Sequence, residues 1–151
     1  MNEIMQWDRC EREFIRKASI DKEKIASIIE TALKRRKFLE DANVDENNVS
    51  FIVEGFYEIV KELLVALLLM EGMRSSNHQC LISYFNRKFP DHEFEVNLIS
   101  QMSYLRNGLD YYGEKIDKGF YDKNKKDIQE LINLLLTLTI KNPSHSKLWD
   151  L

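Results

Sequence analysis

The sequence predicts an all-α fold, an up-and-down helical bundle of about five helices. Three observations predict it. Apolar residues recur at helical spacing through most of the chain, only five Gly and two Pro interrupt them, and no segment alternates as a strand does. At 151 residues the chain is long enough to bury a core and short enough for one domain, expected over residues 1–141 with a tail at 142–151.

Ile4, Trp7, Cys10 and Phe14 fall at helical spacing and predict a short amphipathic helix at the start. Ser19-Ile20-Asp21 then offers N-cap oxygens to a helix over about 22–42. Its core face would carry Ile25, Ile28, Ile29, Ala32 and Leu33, while Lys34-Arg35-Arg36-Lys37 reads as a solvated face.

Asp45-Glu46-Asn47-Asn48 predicts a polar turn with capping potential before the longest helix, about 47–73. Val49, Ile52, Val53, Phe56, Val60, Leu63, Leu64 and Leu67 make one continuous stripe along it. Its last part, with Ala66, Leu68 and Leu69, is apolar almost all round and needs neighbours on more than one side.

Residues 72–76 end that helix, and a shorter one follows over 77–89 with Leu81, Ile82, Tyr84 and Phe85. Pro90 closes it, because proline disfavours helix at the residue before it. The next helix spans about 94–112 with Leu98, Met102, Leu105, Leu109 and Tyr112 toward the core and Gly113 as C-cap. A Lys-rich loop leads to the last helix, about 123–141, with Ile128, Leu131, Ile132, Leu135 and Leu138 inward and Pro143 as its stop.

A net charge of −3 provides no global attraction to nucleic acid, so any such contact must come from a local patch. The longest apolar run, residues 63–70, is too short to span a bilayer, and no membrane association is expected. The N-terminus lacks the charged-then-apolar layout of a signal peptide. Cys10 and Cys80 make no disulfide framework and are expected to be reduced, which suits a cytoplasmic protein. His78, Cys80 and His92 match no zinc pattern, and neither metal nor cofactor is expected. The tail mixes polar residues with Leu148, Trp149 and Leu151, which suits either docking on a partner or disorder.

Core packing does not account for Leu105-Arg106-Asn107-Gly108-Leu109-Asp110-Tyr111-Tyr112-Gly113. Asn107 and Tyr111 are four apart and share a helix face, which Tyr104 extends by a turn. Arg106 lies about 140° around a regular helix from Tyr111, so only its length would bring them together. Arg106 and Asp110 are also spaced for an ordinary surface ion pair, which makes a plain helix end the competing reading.

The segment resembles the signature of the HEPN superfamily: Arg, a polar residue, variable residues and then His. The similarity extends to Phe56-Tyr57-Glu58, to Gly72 and to Ser76-Asn77-His78, and it covers about residues 15–141. It implies a bundle that forms a homodimer, often partnered with a nucleotidyltransferase in a toxin–antitoxin pair, and able to bind RNA or a nucleotide. In active members the Arg and His make a metal-independent ribonuclease. Tyr111 stands at the His position here. A phenol, with a reference pKa of about 10, is a poor general base near neutral pH. The expectation is therefore a binding protein using Arg106, Asn107, Tyr111 and Tyr104, with weak nuclease activity at most. The alternative is an endoribonuclease using Arg106 with Tyr111 or with His78, which caps its helix on the plainer reading.

Overall fold

The computed structural model describes residues 3–141, so the tail at 142–151 lies outside the described residues. Six helices and one small ribbon make up the fold: α1 (Trp7–Glu13), β1 (Ile15–Lys17), α2 (Lys22–Glu40), α3 (Val49–Met70), β2 (Met73–Ser75), α4 (Gln79–Lys88), α5 (Glu93–Tyr112) and α6 (Lys118–Lys141). The all-α class holds, and none of the described helices is long and apolar enough to cross a membrane.

The apolar helix α3 is the axis of the bundle. Every member of its predicted stripe is buried, as are Ala66, Leu68 and Leu69 around the other side. This requires neighbours all round, and α2, α4, α5 and α6 all pack on it. Asp21 caps α2 by accepting from the Lys24 amide at 3.0 Å. Asp45 accepts from the amides of Asn47 and Asn48 at 2.8 and 2.9 Å, making the predicted turn before α3. Leu33 is 46% exposed, against expectation, because α2 packs chiefly on α3 and needs only the narrow line of Ile25, Ile29, Ala32 and Leu39.

The sequence carried no strand signal, yet Ile15–Lys17 pairs antiparallel with Met73–Ser75. Each strand has three residues, too few for an alternation to register. Ala18 N donates to Gly72 O at one end of the ladder and Ser76 N to Phe14 O at the other. Gly72 holds a left-handed φ of 74°, which lets the chain turn sharply from α3 into β2.

Cys10 and Cys80 are fully buried and joined as a disulfide between α1 and α4, with Cα atoms 5.6 Å apart. This corrects the expectation of reduced thiols. The pairing joins residues 70 apart in sequence, so only the tertiary fold reveals it.

Helix α6 starts at Lys118 rather than near residue 123. Asp117 Oδ1 accepts from the Gly119 amide at 3.2 Å, and Phe120 and Tyr121 pack against the core, so the supposed loop is a helical first turn. Ile116 enters a small cluster with Val49 and Val53, and its amide donates to Ser50 Oγ at 2.8 Å. Tyr112, expected to face the core, is 78% exposed. Helix α5 outruns the core there, and Gly113 turns the chain away with φ 65°.

Candidate functional site

A polar line interrupts the apolar surface of α3: Glu54, Glu58 and Lys61, at i, i+4 and i+7. Arg106 reaches this line from α5. Its Nη2 lies 3.6 Å from Glu58 Oε1 and its Nε 3.0 Å from Asp110 Oδ2. The guanidinium carbon stands 6.0 Å from the centre of the Tyr57 ring, close enough for a cation–π contact. The i,i+4 pair with Asp110 is thus present, but the Nε is buried and meets no acceptor in hydrogen-bond geometry among the described residues. Charge holds this arginine, while its donors are only partly used.

The helix α4 begins beside it. Asn77 Oδ1 accepts from the Gln79 amide at 2.8 Å, whereas His78 makes no side-chain cap bond. The capping role expected of His78 falls to Asn77, and the imidazole is left exposed at the mouth of a cleft. Gln79 Nε2 donates to Ser103 Oγ at 3.0 Å, locking the start of α4 to α5.

The cleft has a volume of about 290 Å³. Arg106, Asn107, Tyr111 and His78 all line it, so the structure brings together four residues that the sequence singled out. Tyr104 does not join them. It lines a neighbouring hollow of about 320 Å³ with Tyr112 and Glu114, and Asn107 and Tyr111 form the ridge between the two.

Tyr57, Ser76, Asn77, Gln79 and Ser103 complete the cleft. Ser103, Asn107 and Tyr111 follow one another at four-residue steps, a signal readable in the sequence. The acidic residues behind Arg106 were missed, although the i, i+4 spacing of Glu54 and Glu58 on α3 carries the signal.

Electrostatics divide the site into two parts. Partial withdrawal from water lowers the His78 pKa, and the positive charges of Lys61 and Arg106 lower it further against a smaller upward pull from Glu58. Its imidazole is therefore neutral near pH 7 and free to accept a proton. Burial raises the Tyr57 pKa, with a hydrogen bond to Ser103 and the charge of Arg106 working against it. A hydrogen bond to Asp110, then burial and the Asp110 charge, raise Glu54. The neighbouring Asp110 thus favours the protonated form of Glu54.

Comparison with known protein families, with curated proteins and with solved structures found no match.

Proposed function

We propose that the chain is a HEPN-like binding protein whose cleft takes the phosphate of a nucleotide or of an RNA end. The observation that carries this reading is the Arg106 guanidinium lining one cleft with Asn107, Tyr111 and His78. An arriving oxyanion can accept from an arginine that is only loosely held by Glu58 and Asp110. The phenols of Tyr57 and Tyr111 flank it and suit a sugar or a base. Partnership with a nucleotidyltransferase in a toxin–antitoxin pair, and a homodimer, follow from the motif resemblance. The cytoplasm is the proposed compartment, although a buried disulfide such as Cys10–Cys80 is more usual in oxidising surroundings.

A second reading, metal-independent RNA cleavage, is favoured by one observation: His78 lies at the same cleft as Arg106 with its imidazole in the basic form. Incubating purified protein with mixed RNA in EDTA decides between them. Binding without cleavage, lost in Arg106→Ala, supports the binding role. Cleavage that disappears in both Arg106→Ala and His78→Ala would replace it with the nuclease. In the binding case, Tyr111→His restores the motif imidazole and is expected to introduce measurable cleavage.

A further inference from the structure

The outer face of the β1–β2 ribbon presents two arginines directly opposite one another. Arg16 pairs with Arg74 across the ladder, while Ile15 and Met73 turn their side chains toward the core. Both arginines are exposed. Like charges in opposed positions destabilise a strand pair, so the arrangement has a cost that the fold does not need. Neither arginine forms an ion pair among the described residues, although Glu11 and Glu71 line a hollow beside Arg16. The Arg16 guanidinium donates only to main-chain oxygens, those of Ile15 at 2.9 Å and Glu13 at 3.4 Å. The nearby Glu13 carboxylate is engaged by Arg9 at 2.6 Å. Arg74 has neither an ion pair nor a hydrogen bond among the described side chains.

The ribbon is also continuous with the cleft. Ser76, which lines the cleft, is hydrogen-bonded to Phe14 as a further rung of the same ladder. It follows Arg74 by two residues, directly past the end of β2. Ser75 Oγ donates to Asn77 O at 2.8 Å and accepts from its amide at 3.1 Å, fixing the ribbon to the turn that presents His78.

We propose that the outer face of this ribbon is a docking track for the phosphodiester backbone of a single-stranded RNA, with Arg16 and Arg74 holding phosphates adjacent to the unit bound in the cleft. This rests on the reading of the cleft as a phosphate site and makes its ligand a polynucleotide rather than a free nucleotide. A single phosphate would not require two cations beyond the cleft. Ile15 and Met73 face inward and leave the arginines as the outward side chains of the central rung.

Binding of a long single-stranded RNA and of a dinucleotide to the full chain, across a range of salt, tests the track. The protein is compared with Arg16→Gln/Arg74→Gln and with Arg16→Lys/Arg74→Lys. The glutamine pair should weaken the long RNA about tenfold at low salt and reduce its salt slope by roughly 1.4, about 0.7 for each lost phosphate contact. It should leave the dinucleotide unchanged, and the lysine pair should retain most of the slope. Thermal stability of the glutamine pair should be equal or higher, since a repulsion has been removed.

An unchanged salt slope in the glutamine pair would overturn the proposal. So would selective binding of the ribbon to anionic lipid vesicles or to an acidic peptide. The cleft reading fails separately: if wild type binds the long RNA through Arg16 and Arg74 but ignores the dinucleotide, the track stands and the cleft assignment falls.

Discussion

Arg106 on α5 and Glu58 on α3 approach to 3.6 Å, beyond hydrogen-bond range but within ion-pair range. The pair joins two helices, and both side chains are about four-fifths shielded from solvent. Truncating one partner leaves the other poorly compensated. Arg106→Ala should therefore destabilise the protein by about 1–2 kcal/mol, between the values for exposed and buried pairs. Glu58→Gln should instead release the guanidinium and tighten nucleotide binding severalfold, read by titration with a dinucleotide. Weaker binding in Glu58→Gln would show that the carboxylate positions Arg106 rather than competing for it.

His78 makes stability depend on pH in a defined direction. Its pKa in the fold lies below 6.5, chiefly through partial loss of hydration. The unfolded chain therefore takes up the proton first as pH falls. Stability from this group is complete above about 6.5 and declines as pH drops through the folded value. His78→Gln should remove that decline, and the difference should be no more than a few tenths of a kcal/mol because the side chain is largely exposed. Urea denaturation at pH 7.5 and pH 5 checks it.

Glu54 works with the opposite sign. Its hydrogen bond to Asp110, with burial, raises its pKa above 4.5, so the folded protein holds a proton that the unfolded chain has released. The stabilisation is present below about 4.5 and fades as pH rises through the folded value. Glu54→Gln keeps a donor for Asp110 and removes the like charge. It should stabilise the protein at pH 7 by a few tenths of a kcal/mol after solvent screening, with no gain at pH 4. A gain that persists at pH 4 would show that the carboxyl pair is not its source.

Reducing the Cys10–Cys80 disulfide should destabilise the fold markedly. Closing a loop of 70 residues constrains the unfolded chain by about 4 kcal/mol in the chain-entropy account. Thermal unfolding with and without a phosphine reductant measures it, and Cys10→Ser serves as the non-reducible control. Equal midpoints in both conditions would mean that the bond contributes nothing to the native fold.

Most of the bundle was legible because its helices are amphipathic and their stripes are long. The burial of Val49 through Leu67 on α3 follows directly from their spacing. Arg106, Asn107 and Tyr111 were legible too, since core packing does not account for them, whereas His78 stood out only through the motif resemblance. The features that stayed hidden are those decided by residues far apart. Neither the Arg16–Arg74 opposition nor the disulfide leaves a local pattern, because each joins segments about sixty or seventy residues apart. Tyr112 was misplaced for a different reason. Helical periodicity states which face a residue shares, and says nothing of where the core beneath that face ends.

The distance along the chain between Cys10 and Cys80 also bears on the order in which the molecule assembles. Helices α2 and α3 are neighbours in sequence and can pair as soon as both exist, whereas α1 and β1 have little beyond each other to pack on until β2 and α4 have been made. Loop-closure entropy delays such distant contacts, and disulfide formation itself takes seconds to hours. The N-terminal corner is therefore expected to assemble last, onto a bundle already formed. Pulse-labelled hydrogen exchange during refolding should show the amides of α3 protected before those of Arg16 and Ala18. The reverse order would make the ribbon the nucleus around which the helices gather.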